Sequence, residues 1–302
     1  MRFGIMTLQS PPYADLAERW HRIEALGFDS IWIADHTSAQ YPTLVAYEAW
    51  ALLGALAANT SRVRFGPLVT PPTFRHPAML AMSAVTVDNV SGGRLELGLG
   101  AGGAKMDAGV VGEPQLGPGA LLDRFAEHLT VLDRLLRGET VTFEGKYVRS
   151  TGAVLSAGVQ KPRVPFVIAA QGPRALRLVA TYADTWNTLG GQPMRSESPQ
   201  PVDLGAALTR TRAQLDQLEE ACGAVGRDPH AIKRSLLAYR VAPFESVGHF
   251  EEYVGAYGEL GFDEVICYWP SEPSTFARMP EREAVLERVA TDVLPRLRDG
   301  GS

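Results

Sequence analysis

Residues 2–12 read Arg-Phe-Gly-Ile-Met-Thr-Leu-Gln-Ser-Pro-Pro. Residues 2–8 form a short, continuous, mostly apolar run, the pattern of a strand buried on both faces. The turn behind this strand bears on the fold. A strand that opens a doubly wound sheet runs into its helix through a glycine-rich turn that receives a phosphate. Here the turn is Gln9-Ser10-Pro11-Pro12, with no glycine. That absence weighs against the open sheet and for the other parallel architecture, a closed barrel.

Outward from this point the alternation continues. Residues 13–26 read as a helix, with Leu16, Trp20, Ile23 and Leu26 at helical spacing and Gly27 as its stop. Strands follow at 30–34, 63–69 and 95–99, separated by helices at 44–58 and 77–90, the latter with Pro77 at its first position. Residues 100–121 form a long glycine-rich loop, 122–136 a helix, and 138–160 a small excursion with strands at 141–143 and 147–148 around Gly145. Further strands are read at 166–170, 185–189, 234–241 and 264–268. Further helices are read at 174–182, 204–225, 247–260 and 281–297, and 190–203 is a loop rich in proline and serine. Eight strands alternating with helices require right-handed crossovers and parallel pairing. The expected fold is α/β, a (β/α)8 TIM barrel with long insertions in loops at the C-terminal ends of the strands. Such a barrel needs ~250 residues, and the surplus lies in loops that follow strands, where barrels build their sites. Residues 1–299 read as a single domain, and 300–302 are set apart as a tail.

Composition narrows the function. The chain has 302 residues, 45% of them hydrophobic and 21% charged, with a formal net charge of −5 and no run of one sign. A basic face for nucleic acid is not expected. Cys222 and Cys267 have no metal-ligand spacing, so no metal site is expected, and they fit a reduced, cytoplasmic protein. The first residues lack a signal-peptide core, and no apolar run is long enough to cross a membrane.

Several strand ends carry chemistry. Ala34-Asp35-His36 places two ionisable groups at the reacting face of a barrel, where they either act on a ligand or cap the strand. Residues 69–77, Val-Thr-Pro-Pro-Thr-Phe-Arg-His-Pro, form a stiff connector or a rigid wall behind a planar ligand. Gly98-Leu99-Gly100-Ala101-Gly102-Gly103 lets backbone approach a ligand closely. Ala170-Gln171-Gly172-Pro173-Arg174 opens a helix directly, a place where N–H groups and the helix dipole converge on an anion. Trp186 with Asn187, and Tyr268 with Trp269, either line an apolar pocket or belong to the core. His128 lies on a helix and is expected to face solvent, and His76 is open between packing and function.

Taken together, Ser91-Gly92-Gly93-Arg94-Leu95-Glu96-Leu97-Gly98-Leu99-Gly100-Ala101-Gly102, Arg75-His76-Pro77-Ala78, Phe143-Glu144-Gly145-Lys146-Tyr147 and Gly172-Pro173-Arg174-Ala175-Leu176 resemble the bacterial luciferase-like monooxygenase superfamily over nearly the whole chain. That family uses FMN or the deazaflavin coenzyme F420 on a barrel fold. The resemblance implies that Asp35 and His36 stand beside the cofactor ring, with His36 orienting or protonating the reacting group and Asp35 holding the ring edge or the histidine tautomer. An Asp-His pair implies the F420 branch. Leu68, Val69 and Thr70 match the bulge that backs the ring, with a non-prolyl cis peptide at Leu68–Val69. Gly100, Gly102, Ala170, Gln171, Gly172 and Pro173 are implied in cofactor binding, and Asp107, Trp186 and Trp269 are assigned to the substrate pocket. The chain departs from the family at Gly103, where relatives often have Trp, at Asp107, where they often have Glu, and at Thr185, where they usually have Gly. The implied activity is hydride transfer between F420 and a small organic substrate, in the reductase direction. An FMN monooxygenase is the alternative, and a barrel that binds a ligand without turnover is the second. Many relatives are homodimers.

Overall fold

The structure, a computed structural model, describes residues 1–9, 12–37, 47–103, 105–193, 203–270 and 282–299. The expectations that fall on residues 10–11, 44–46, 194–202, 281 and 300–302 lie outside them. Ten strands are described: β1 (Arg2–Thr7), β2 (Ser30–Ile33), β3 (Arg64–Pro67), β4 (Leu97–Leu99), β5 (Val141–Glu144), β6 (Arg149–Ala153), β7 (Phe166–Ala169), β8 (Thr185–Thr188), β9 (Lys233–Leu237) and β10 (Glu264–Tyr268). Between them run α1 (Tyr13–Ala25), α2 (Ala49–Asn59), α3 (Pro77–Ser91), α4 (Lys105–Val110), α5 (Pro118–Leu136), α6 (Pro173–Tyr182), α7 (Leu204–Ala224) and α8 (Val247–Gly258). A helical stretch over 282–299 closes the chain, with a π turn at Val289–Val293.

Eight strands form one parallel sheet in the order β3-β2-β1-β10-β9-β8-β7-β4. Isolated parallel bridges Phe65–Leu95 and Thr70–Leu99 join its two ends and close the barrel. Glycines make that seam possible. A Cβ on Gly66 would lie 1.8 Å from the Glu96 carbonyl oxygen, and one on Gly98 would lie 1.8 Å from that of Pro67. Both neighbours are backbone and cannot yield, so β3 and β4 can approach only because these positions lack side chains.

The strands alternate as buried parallel strands must. On β1, Phe3 and Ile5 face the helices, where they join a core with Trp20 and Ile23 of α1. Met6 and Leu8 face inward and pack with Trp32, Ala34, Leu68, Val167, Leu237 and Ile266. The N-terminal end of the barrel interior is ionic. Arg2 Nη1 and Arg64 Nε donate to Glu96 Oε1 at 2.9 and 2.5 Å, and Ser30 Oγ donates to Glu264 Oε1 at 2.5 Å. Burial works against the Glu96 carboxylate, but Arg2 and Arg64 outweigh it and hold its pKa below the usual range. Burial pushes Glu264 up to about 7, with Glu96 adding to the rise and Arg2 opposing it.

The structure corrects several sequence-based boundaries. The loop expected over 100–121 contains α4 and the first turn of α5, which starts at Pro118, a residue suited to the first helical position. α2 begins at Ala49, because Glu48 is extended and caps the helix by accepting from Ala51 N at 2.7 Å. The second strand of the excursion is 149–153, not 147–148, because the backbone N–H groups of Lys146, Tyr147 and Val148 all donate to the Glu127 carboxylate. His128 does not face solvent. It is 1% exposed, on the buried face of α5 with Phe125 and Leu132.

Candidate active site

The residues singled out at the ends of β2, β3 and β4 converge at the C-terminal mouth of the barrel. His36 follows β2 by three residues. Its Nδ1 lies 2.8 Å from Asp107 Oδ2 on α4. Asp107 also accepts from Thr37 N at 2.9 Å and from Thr37 Oγ1 at 2.6 Å. Its side chain is 4% exposed, against 30% for that of His36. Burial opposes the Asp107 charge, but the hydrogen bonds from His36 and Thr37 outweigh it and hold the carboxyl below its ordinary range. An ionised carboxylate only accepts, so Nδ1 must carry the proton. The imidazole is therefore locked in one tautomer, and proton exchange falls to Nε2. The His36 carbonyl is braced from the segment after β1 by Gln9 Nε2 at 3.2 Å.

Asp35 points elsewhere. Its carboxylate accepts from Thr70 Oγ1 and, at 2.6 Å, from Arg75 Nη1. Trp50 Nε1 reaches the same threonine oxygen at 3.3 Å, and Arg75 also pairs with Glu48. Burial pushes the Asp35 pKa up despite Arg75 and Thr70. Asp35 thus ties β2 to the bulge that follows β3, while Asp107 holds the histidine tautomer, the task first considered for Asp35. The peptide at Leu68–Val69 in that bulge is cis.

The neighbouring glycines serve two purposes. The Gly100 N–H donates to the Thr70 carbonyl at 3.3 Å, and a Cβ on Gly100 would lie 2.5 Å from Val69 Cγ2. Its amide is therefore engaged within the seam, not presented to a ligand as the sequence suggested. Gly102 is exposed at φ +78°, with the Pro71 and Thr73 side chains where its Cβ would point. Behind this loop, Arg124 of α5 donates to Thr73 Oγ1 at 2.9 Å.

On the β7 side, Ala170-Gln171-Gly172 leads into α6, whose cap residue Gly172 has no side-chain cap bond. The carbonyls of this turn are taken from the helix side. Trp186 Nε1 donates to Ala170 O at 3.0 Å, and Gln214 Nε2 of α7 donates to Gln171 O at 3.1 Å. The backbone N–H groups of Gln171, Gly172, Arg174 and Ala175 meet no acceptor among the described residues. Arg174 turns away and pairs with Asp123 of α5 at 2.7 Å. The turn thus presents donors, the polarity an anion requires.

Between these two sides lies an apolar floor. Val69, Leu189, Tyr239 and Tyr268 are partly buried and cap the inner cluster at or just beyond the ends of β3, β8, β9 and β10. Trp186 and Trp269 are not part of it. Trp186 is fully buried against Phe262, and Trp269 packs beneath the guanidinium groups of Arg19 and Arg22 on α1. Both face outward, so their assignment to the substrate pocket is corrected. Sequence reasoning did not assign roles to Arg75, Tyr239 or Gln214. Only Arg75 left a trace, inside the Arg-His-Pro motif.

Among the described residues no group of three His, Cys, Asp or Glu side chains could hold a metal ion, and no helix is long and apolar enough to cross a membrane.

Residues 1–246 match the family model described as luciferase-like monooxygenase. The chain is 28% identical to the F420-dependent glucose-6-phosphate dehydrogenase of Intrasporangium calvum, over 94% of this chain and 95% of that protein. It is 30% identical to the 5,10-methylenetetrahydromethanopterin reductase of Archaeoglobus fulgidus, over 80% of this chain and 70% of that protein. The structure of the coenzyme F420 dependent tetrahydromethanopterin reductase from Methanopyrus kandleri superimposes with a TM-score of 0.74 at 20% identity, covering 98% of this chain and 99% of that one, a likeness of fold.

Proposed function

The chain belongs to the luciferase-like monooxygenase family, and from that premise we propose that it is an F420-dependent oxidoreductase that acts on a small organic substrate in the reductase direction. The observation that carries the reading is the division of the barrel mouth. A donor-only turn lies on the β7 side and a tautomer-locked histidine on the β2 side, with an apolar floor between them. A planar ring with a phosphate tail needs such a surface: apolar contact beneath the ring, N–H groups for the phosphate, and a proton carrier at the reacting edge. The glucose-6-phosphate dehydrogenase named above is F420-dependent, and the Asp35-His36 pair of this chain is the form that the resemblance to the F420 branch implies.

F420, when bound, supplies or accepts a hydride at C5 of its deazaflavin ring. The rest falls to the protein. The 170–173 turn and the α6 N-terminus hold the phosphate. Asp35, with Thr70 and Arg75, fixes the bulge at 68–70, and Val69 presents it to the ring. His36, entering the step as imidazolium, would deliver its Nε2 proton to the substrate atom left negative when the adjacent carbon receives the hydride, and would be left as the neutral Nδ1–H tautomer that Asp107 holds. The loops over 103–121 and 190–203 select the substrate. Two buried cysteines without a disulfide fit a cytoplasmic location. A second copy of the chain covers the outer face of α2 and α3. α2 has no charged residue, the one charge on α3 is the buried Asp88, and Met79, Met82 and Val90 are exposed there.

The test is a fluorescence titration of cofactor-free protein with F420 and, separately, FMN. Saturable binding of F420 with little binding of FMN is expected. Preference for FMN would make the protein a flavin monooxygenase, and binding of neither would remove the oxidoreductase reading.

A further inference from the structure

The amide of Gln171 has a defined orientation. Gln214 Nε2 donates to Gln171 Oε1 at 2.9 Å, as well as to the Gln171 carbonyl. Thr188 Oγ1, fully buried, lies 2.9 Å from Gln214 Oε1 and 3.3 Å from Gln171 Oε1. A hydroxyl has one proton, so Thr188 donates to the nearer oxygen, and that fixes which end of the Gln214 amide faces Gln171. The chain of dependence runs one way. Thr188 orients Gln214, Gln214 occupies the oxygen of Gln171, and the Gln171 NH2 group is left on the side away from α7.

The backbone N–H groups of Gln171, Gly172, Arg174 and Ala175 likewise find no protein acceptor among the described residues. The Ala170 and Gln171 carbonyls and Gln171 Oε1 are all engaged by Trp186 and Gln214, while the Gln171 NH2, like the backbone donors, meets no acceptor among the described residues. If the Gln171 amide rotated by half a turn, it would present an oxygen to an incoming anion and repel it. A positive side chain is not needed here, and Arg174 is committed to Asp123.

We propose that Gln214 is a positioning residue that sets the polarity of the turn, holding the Gln171 amide so that its NH2 donates to the phosphate of the bound cofactor. This rests on the reading of residues 170–173 as the cofactor's phosphate turn. The predicted consequence is affinity for one part of the ligand, not for the ring and not for the chemical step.

The experiment titrates cofactor-free wild type, Gln214→Met, Gln171→Leu and the double variant by fluorescence. The probes are F420 and the same deazaflavin cut back to its ribityl alcohol, without phosphate. Gln214→Met keeps the length of the side chain and removes its hydrogen bonds. We expect it to weaken F420 binding by roughly three- to tenfold, the range of one hydrogen bond to a charged group partly lost, while the affinity for the phosphate-free probe stays the same. Because Gln214 acts through Gln171, the double variant should bind F420 no more weakly than Gln171→Leu alone. Equal losses for both probes, or additive losses in the double variant, would reduce Gln214 to a structural residue and overturn the proposal. Failure of the wild type to bind F420 would instead remove the phosphate turn itself, and the proposal with it.

Discussion

Replacing Arg75 with Met should destabilise the protein in a way that depends on pH. Asp35 is 4% exposed, and its carboxylate is held by Arg75 at 2.6 Å and by Thr70. Removal of one partner from a buried ion pair leaves an uncompensated charge and costs about 3–5 kcal/mol. The second arm of Arg75, to the half-exposed Glu48, adds only about 0–1 kcal/mol. For a chain of this size the loss corresponds to a Tm lower by roughly 6–15 °C. The sign with pH follows from Asp35. Burial raises its folded pKa above the unfolded value, with Arg75 pulling the other way. Folding therefore prefers the neutral carboxyl, and the stability it contributes is complete below the unfolded pKa and lost as pH rises through the folded one. Without Arg75 the folded pKa climbs further. The penalty should be larger at high pH than at low pH, where protonation of Asp35 removes its need for a cation. The assay is thermal and urea unfolding of wild type, Arg75→Met and Arg75→Met with Asp35→Asn. The double variant should recover most of the loss. An equal Tm drop at both pH values, or no recovery by Asp35→Asn, would refute the reasoning and make Arg75 a packing residue.

Asp107→Asn should lower kcat by ~10²–10⁴-fold by admitting the wrong His36 tautomer, with cofactor Kd almost unchanged. Steady-state rates on a panel of carbonyl and alkene substrates, beside a cofactor titration, check it. His128→Leu should flatten the acid limb of stability. Burial, with His76 and Arg124 adding to it, presses the His128 pKa from 6.5 to about 3, so its contribution is complete above 6.5 and is lost as pH falls through the folded value. Between those values the wild type should lose up to about 1.4 kcal/mol per pH unit that the variant keeps, as read by urea unfolding at stepped pH. Met82→Glu, on the uncharged face of α3, should convert a dimer into a monomer by light scattering without lowering cofactor affinity.

The barrel was legible because its signals are local. Apolar runs such as 30–34 and 166–170, and prolines or glycines at helix ends, specify each element from its own residues. The Asp35-His36 pair and the turn at 170–173 were legible for the same reason, since each is a short motif at a strand end. What could not be read were partnerships between distant elements. Nothing near Asp107 announces that it will meet His36, 71 positions earlier. Gln214 sits in the middle of α7, among residues of ordinary helical type, and acquires its role only when α7 packs behind the 170–173 turn. Trp186 and Trp269 were misplaced because an aromatic residue at a strand end reads alike whether it faces the mouth or the helices. On β8 the strand register decides: Asn187 faces inward to Ser235, so Trp186 must face out.

That outward Trp186 bears on how binding and chemistry are separated in the molecule. Its indole holds the Ala170 carbonyl as Gln214 holds that of Gln171, so the 170–173 turn, the proposed anion side of the mouth, is set by residues packed between strands and helices. The proton side is set differently. Asp107 belongs to a six-residue helix in a long excursion after β4, and among the described residues its hydrogen bonds run to His36 and Thr37, just beyond β2. A buried core resists rearrangement, whereas a short helix tethered by side-chain hydrogen bonds opens at small cost. The cofactor side should therefore stay fixed through a catalytic cycle. Any movement that admits substrate or releases product should begin at α4, where breaking the Asp107 contacts would also free the His36 tautomer. On the proposed function, access to the site and the tautomer of His36 would then depend on the same three hydrogen bonds.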